Sequence, residues 1–470
     1  HVTLLRGQML QRARLFEDAM LSFDRSILSA PADSSGFLAR AEMLTDFQQH
    51  AAAYDTLTEG LKRNPNHQAL YLAKVDVLRG LKRLVEAFET CRIAIILGPD
   101  DEATYLSQGK IALDLGRLPA LYAAYEKCLK LNPESISARC ARASANTVYR
   151  HFDAAAKELE ELEIKYPQNI SVRNALASLQ LLQEQYVQGW QNYEWRWKAT
   201  DRLKAKIYHD APLWRGEDLN HRRLLVYPEI GFGDFLMFSR YFEKLFGVAE
   251  RVTLVVPDAL FELYEAQSYP FEVIRESAPV PSHDLQCPIM SLPLAFLNQS
   301  DLIPNRVPYL AIPDKGLNDR SGEAGFENDF KIGLAWSGHQ SRGIDLCPAR
   351  QRSIRFDQLN PILSSHHLFH CIQKEIIPDE IPLVEKETRL IRHDAQIKSF
   401  LDTAFLINQM DLILTVDTAI AHLAGALGKE TWVLLPYSTD YRWQIDGEKT
   451  RWYPNARLFR QTSPGDWETV

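Results

Sequence analysis

The chain of 470 residues has six cysteines, Cys91, Cys128, Cys140, Cys287, Cys347 and Cys371, and no C-x-x-C pair among them. That spacing gives no support to a zinc site or a dithiol redox centre, and a chain this long has no need of a disulfide framework. The cysteines read as reduced core or surface thiols. No apolar run approaches the ~18 residues of a membrane span, and no signal peptide is expected in this stretch. The first residue is His1 rather than Met, which reads as a trimmed chain, and cytoplasm is the expected location. Basic excess is absent too: the net charge is −8, which excludes the electrostatic footprint of nucleic-acid binding. No D-x-D pair of the kind that holds Mg²⁺ occurs, and no clustered His/Cys/Asp set has ligand spacing. What is present, 46% hydrophobic and 24% charged residues, is ordinary globular composition spread over more than one domain.

The first 200 residues contain an internal repeat. Pro31, Pro65, Pro99, Pro133 and Pro167 follow one another at intervals of 34. Twelve positions before each stand Ala19, Ala53, Ala87, Leu121 and Ala155, and eight before each stand Phe23, Leu57, Cys91, Tyr125 and Leu159. The register continues into a sixth unit at Gly189 and Tyr193, where Asp201 replaces the closing proline. A small residue lets two antiparallel helices approach, the bulky one fills the gap to the next helix, and Pro ends the second helix. Pairs of this kind cannot bury their apolar faces alone, so they stack into a superhelix with a concave inner surface. The pattern is clearly similar to tetratricopeptide repeats, and about six span residues 1–200. Such arrays bind peptides or proteins, or self-associate.

After an aromatic stretch at Trp190–Trp197 and a Pro/Gly-bearing connector at 201–221, the texture changes to strand–helix alternation. The expected strands are LLVY (224–227), VTLVV (252–256), KIGLAW (331–336), HLFHCI (367–372), LILTV (412–416) and TWVLL (431–435), with helices over about 234–246 and 418–427. Alternating βα units predict parallel sheets covered on both faces. The length suits two Rossmann-like lobes, 222–315 and 328–470, joined near 310–330. Ligands of such sheets sit beyond the carboxyl ends of strands, so the turns there are where chemistry is sought.

Two turns stand out. In YPEIGFGDFLMF (227–238) the strand LLVY runs into Gly231, Gly233 and Asp234 before an apolar helix. Asp234 is placed either to cap that helix or to act as a catalytic carboxylate. In LILTVDTAIAHLAGALGK (412–429) a buried strand gives way to Asp417, Thr418 and Ala419 at a helix start, with His422 one turn on. The orphan amides and dipole of that start suit a nucleotide diphosphate. The alternative is a cap at Asp417 and a packed histidine at His422. A third candidate is the loop after KIGLAW: Ser337, Gly338 and His339, then Arg342, Asp345, Arg350, Arg352 and Ser353. Arginines at a strand's carboxyl end suit phosphates, though solvated arginines look the same in sequence.

These motifs, in this order, resemble bacterial-type tetratricopeptide-repeat proteins with a family 9, heptosyltransferase-like glycosyltransferase domain. The likeness runs through GWQNYEWRW, PLWRGEDL, PEIGFGDFLMFSRY, HDLQCPIMSLPLAF, KIGLAWSG, Arg352–Ser353, IQKE (372–375), DLILTVDTAIAHLAGALGKETWVLLP, DYRW and LFRQTSPGDW. The architecture is also distantly similar to O-GlcNAc transferase. The resemblance implies an α-helical repeat superhelix followed by an α/β GT-B fold. It implies Asp234 as general base, with Gly233, Ser337, Gly338, Arg352, Ser353, Gln373, Lys374, Asp417, Thr418, Ala419 and His422 around the donor. The family turn usually reads Glu-Gln-Gly-Leu-Gly-Asp, against Glu229-Ile230-Gly231-Phe232-Gly233-Asp234 here. Its Asp-x-x-Arg-Ser is also stretched, with Asp345 and Arg352 seven apart.

The implied activity is metal-independent transfer of a sugar from a nucleotide sugar, a co-substrate rather than a cofactor, to a hydroxyl. A protein acceptor such as flagellin, held by the repeats, is the leading expectation. A lipopolysaccharide-type saccharide is the second, and a scaffold with degenerate transferase lobes is the third. Self-association through the repeats is a further expectation; no nucleic acid and no membrane span are expected.

Overall fold

The 34-residue period is a chain of helix pairs. The computed structural model describes residues 2–13, 15–199, 211–219, 221–229, 231–297, 303–313, 330–338 and 347–470. The pairs are α1 (Val2–Arg12) with α2 (Phe16–Ser29), α3 (Ser34–Asp46) with α4 (His50–Arg63), and α5 (Gln68–Gly80) with α6 (Leu84–Leu97). They continue as α7 (Glu102–Asp114) with α8 (Leu118–Leu131), α9 (Ile136–Val148) with α10 (Phe152–Lys165), and α11 (Ile170–Leu182) with α12 (Tyr186–Tyr193); a short α13 (Arg196–Ala199) follows. Every second helix of the first five pairs ends two residues before its proline, whose ring cannot continue the helix. The small and large residues of the motif, from Ala19 and Phe23 to Ala155 and Leu159, are all buried.

The turns repeat as faithfully as the helices. Asp33, Asp101, Ser135 and Asn169 cap α3, α7, α9 and α11 by accepting backbone N–H groups. Between the helices of five successive pairs, Gln48, Lys82, Gly116, Arg150 and Glu184 adopt φ of 60–68°, closing the first helix in a left-handed turn. This part of the chain has the tetratricopeptide architecture. Among the described residues no helix is long and apolar enough to cross a membrane.

Among the described residues, the remainder holds two parallel sheets. The first has order β3-β2-β1-β4, from β1 (Arg223–Tyr227), β2 (Arg251–Val256), β3 (Glu272–Arg275) and β4 (Leu285–Pro288). The second has order β10-β9-β8-β5-β6-β7, from β5 (Ile332–Ala335), β6 (Phe369–Cys371), β7 (Leu390–Arg392), β8 (Leu412–Val416), β9 (Thr431–Leu435) and β10 (Ala456–Arg460). Renumbered within itself the second sheet runs 3-2-1-4-5-6, the doubly wound order. Both sheets thus change direction once, between β1 and β4 and between β5 and β8. The short strands β3, β4, β7 and β10 were not among those expected from sequence.

The helices that matter for the site are α14 (Phe232–Phe238) after β1 and α20 (Ala419–Ala426) after β8. Between them lie α15 (Phe261–Glu265), α16 (Leu292–Ala295), α17 (Asn360–Leu363), α18 (Ile381–Val384) and α19 (Phe400–Gln409). The helix expected over 234–246 is instead α14 followed by a 3₁₀ segment, Ser239–Leu245. The cause is side-chain competition: Ser239 Oγ donates to the Leu236 carbonyl (2.9 Å) and Arg240 Nε to the Met237 carbonyl (2.8 Å).

The chain divides into two compact units, His1–Leu162 with Asp345–Pro348, and Glu163–Ile344 with Ala349–Val470. The last pair, α11 and α12, therefore groups with the sheets, although its register continues the repeats. The reason is visible in α12: Trp190 is buried edge-on against Phe238 and Tyr441, and Tyr186 against Trp452. Of the connector, 211–219 and 221 are described: Trp214 N–H donates to the Gln286 carbonyl (2.8 Å), setting the strip around it beside β4. Residues 201–210, most of the 310–330 joint, and His339, Arg342 and Asp345 lie outside the described residues. All six cysteines are buried, and burial pushes the Cys91 and Cys371 thiols up to about 12, which leaves those two inert.

Candidate functional site

The turn after β1 is built around a glycine that no other residue replaces cheaply. Gly231 is the residue preceding α14 and has φ of +88°, a left-handed value that an L side chain resists. It supplies no capping side chain, and Asp234 lies inside the first turn. The Asp234 carboxylate instead reaches across to Arg442 and forms an ion pair. Asp234 keeps about 23% of its side chain exposed. Burial pushes its carboxyl up to about 6, outweighing the lowering by Arg442; Asp440 and Glu229 add to the rise.

The turn after β8 meets it. Thr418 caps α20, its hydroxyl accepting from Ile420 N–H (3.2 Å). Gly233 packs directly on this helix: a Cβ there would lie 2.8 Å from His422 Cδ2 and 3.6 Å from the Cα of Ala419. The absence of a side chain at Gly233 is what lets the two helix starts approach. His422 is buried, stacked on Trp443 (5.3 Å between ring centres), with Nδ1 2.9 Å from the Tyr453 hydroxyl. Burial, then the charges of Arg442 and Arg240, hold its pKa well below the ordinary value, so the imidazole is neutral.

Strands β5 and β8 are neighbours, and their carboxyl ends bring most of the other residues together. A Cβ on Gly338 would be 3.6 Å from Thr418 Cγ2. Ser353 Oγ accepts the Gly338 N–H (3.2 Å), and Arg352, 58% exposed, pairs with buried Asp417 at 3.3 Å. Thus Gly233, Asp234, Ser337, Gly338, Arg352, Ser353, Asp417, Thr418, Ala419 and His422 cluster around the direction change of the second sheet. Gln373 stands beside this cluster, bonded to the Ser337 turn. Its Oε1 accepts from Trp336 N–H (2.9 Å) and Ser337 N–H (3.2 Å), and its Nε2 donates to Ser337 Oγ (3.2 Å) and the Glu375 carbonyl (3.0 Å). With both ends of the amide engaged, Gln373 shapes the Ser337 turn. Lys374 is exposed, and its Nζ donates to the Lys398 carbonyl (3.1 Å).

Two arginines here were not singled out from sequence. Arg442, in the DYRW stretch after β9, bridges Asp440 (2.5 Å) and Asp234, and its Nε is buried without a partner. Arg240 is buried, donating to the carbonyls of Trp452 (2.5 Å) and Pro304 (3.2 Å) and to the Tyr309 hydroxyl (3.3 Å). The arrangement offers a carboxylate poised to take a proton, set beside guanidinium groups and a helix start able to receive an anion. Among the described residues no group of three or more His, Cys, Asp or Glu gathers as a metal set.

No family model matches the chain. Among curated proteins it is 24% identical to Protein FlbA of Caulobacter vibrioides over 376 residues, covering 73% of this chain and 61% of that protein. The chain thus spans less than two thirds of that relative's length. Among solved structures it is similar to a thermophilic TPR protein of Thermus thermophilus (19% identity, TM-score 0.34, 38% of this chain and 97% of that one). It is also similar to pilF of Pseudomonas aeruginosa (15% identity, TM-score 0.35, 43% and 91%).

Proposed function

We propose that this chain is a GT-B-type glycosyltransferase that moves a sugar from a nucleotide sugar to a hydroxyl of a protein gathered by the helical repeats. The observation that carries the reading is the meeting of two strand-to-helix turns from different parallel sheets, one bearing Asp234 and the other the start of α20. Ligands of open parallel sheets bind where the strand order changes direction, and the turns after β1 and β8, which lie at such points, are in contact through Gly233 and His422.

In this mechanism Asp234 takes the proton of the acceptor hydroxyl as its oxygen bonds to the anomeric carbon. The bond from that carbon to the donor's phosphate oxygen breaks, and the nucleotide leaves with the bonding pair, as a diphosphate from UDP-, GDP- or ADP-sugars and as a monophosphate from CMP-sugars. The start of α20 at Thr418 and Ala419, together with Arg352 and Arg442, meets the growing negative charge. His422, kept neutral, hydrogen-bonds there without adding a charge that would hold the product. Supporting this reading, Arg442 touches the carboxylate on one side and carries a buried, unpartnered Nε.

The test combines the purified chain with UDP-, GDP-, ADP- and CMP-sugars and candidate proteins co-expressed with it, read by intact mass. A hexose- or sugar-acid-sized increment on a Ser or Thr supports the proposal. No increment, together with no calorimetric binding of UDP, GDP, ADP or CMP, rejects it.

A further inference from the structure

We propose that the last helical repeat is a working part of this site, with Arg196 as the positioning residue that fixes and charge-balances the turn carrying Asp234. The inference rests on the reading of Asp234 as the base.

Arg196 belongs to α13, at the end of the repeat that groups with the sheets, and is only 8% exposed. Its guanidinium is used on three edges. Nε donates to Glu229 Oε2 (2.8 Å), and Nη2 donates to Glu229 Oε1 and to Ser291 Oγ (2.8 Å each). Nη1 donates to Glu194 Oε1 (2.7 Å) and the Tyr193 carbonyl (3.1 Å). Ser291 Oγ closes the ring by donating to Glu194 Oε1 (2.6 Å), and Met290 N–H donates to Glu229 Oε1 (3.0 Å). The cation lies over the rings of Tyr193 (4.4 Å) and Trp197 (4.8 Å). A planar fork of this kind is specific to arginine.

Glu229 and Ser291 follow β1 and β4, the two strands flanking the direction change of the first sheet. Arg196 therefore clamps that point, five residues before Asp234, from the helical part of the chain. It also compensates the buried Glu229 carboxylate. The groups within electrostatic reach of Asp234 are Arg442, Asp440 and Tyr441 from the DYRW turn, Glu229 from the end of β1, and Tyr193 from α12; the neutral His422 lies across Gly233. Without Arg196, the Glu229 charge acts on Asp234 unbalanced and disfavours its ionised form. Without Glu229, the carboxylate that disfavours the ionised form of Asp234 is gone. A purely structural brace would not produce shifts of opposite sign.

The experiment follows the Asp234 carboxyl by ¹³C NMR in the full chain labelled at aspartate, its resonance assigned with Asp234→Asn. In parallel, the acid limb of kcat/KM for transfer is measured. Arg196→Met is expected to raise the proton affinity of Asp234 about tenfold, one pH unit, and Glu229→Gln to lower it by a similar factor. Arg196→Met with Glu229→Gln returns it near the wild-type value, and Arg196→Lys shifts it less than Arg196→Met. If Arg196→Met does not fold, Glu229→Gln and the double variant still decide the matter. A Glu229→Gln resonance that titrates like wild type, or shifts of the same sign in both single variants, overturns the proposal. Because the resonance needs no substrate, failure of the transferase reading shows separately, as a wild-type chain that titrates as stated but transfers no sugar.

Discussion

Asp234 and Arg442 are 208 positions apart and follow strands of different sheets, yet their side chains form an ion pair at the meeting of two helix starts. The pair opposes two strong effects. Burial favours the neutral acid, the guanidinium favours the carboxylate, and burial has the larger influence. Removing the carboxyl charge while keeping its shape isolates its role. Asp234→Asn should retain fold and nucleotide affinity while transfer falls roughly 10²–10⁴-fold. Transfer near the wild-type rate would leave Asp234 as a partner for Arg442 and nothing more.

The pH dependence has a definite sign. A base must be deprotonated, and the Asp234 carboxyl is pushed up to about 6, so kcat/KM should fall as pH drops through about 6. For stability the sign is reversed: the native state holds this proton more tightly than the unfolded chain. The resulting contribution is fully present below the ordinary aspartate range and lost as pH rises through about 6. A rate profile flat from pH 5 to 8 would contradict the assignment.

Gly233→Ala tests the approach of the two turns. The added methyl would lie 2.8 Å from the His422 ring, which is itself wedged against Trp443 and Tyr453. The ring has little freedom to withdraw, so nucleotide affinity should drop at least about tenfold by calorimetry. Unchanged affinity would mean that the spacing of α14 and α20 is immaterial to binding.

How much of this was legible in sequence depends on what each residue does. Ala53 and Leu57, with Pro65, announce their repeat because packing and chain termination restrict those positions. The left-handed turns at Gln48, Lys82, Arg150 and Glu184 are invisible, since only Gly116 of the five carries the usual signal. The strands Leu412–Val416 and Thr431–Leu435 stand out as buried apolar runs, whereas Glu272–Arg275 is short and half-exposed. In the site, residues directly after strands could be found by position. Arg442 could not, because it acts across sheets, and nothing in Gln373 itself reveals that its amide is turned onto Ser337.

Arginine, not a divalent cation, is expected to meet the departing charge. Transfer should therefore continue in EDTA, while Arg442→Ala lowers it about 10²–10³-fold. Activity abolished by EDTA and restored by Mg²⁺ or Mn²⁺ would show that the leaving group is stabilised differently.

The division of the chain makes the purpose of the repeats testable. Removing residues 1–133 leaves α9 to α13 and both sheets, and Glu163–Val470 contains the turns at Asp234 and Thr418 with the Arg196 clamp. Nucleotide binding should therefore be undiminished. Transfer onto a protein should nevertheless collapse, because the acceptor is no longer held at high effective concentration. A short peptide carrying the modified hydroxyl, supplied at millimolar concentration, should be modified by the truncated and full chains at similar rates. That contrast separates recruitment from chemistry, since a damaged site would lose both substrates together. Unchanged transfer onto the protein would instead assign the first four helix pairs to assembly and favour a small saccharide acceptor.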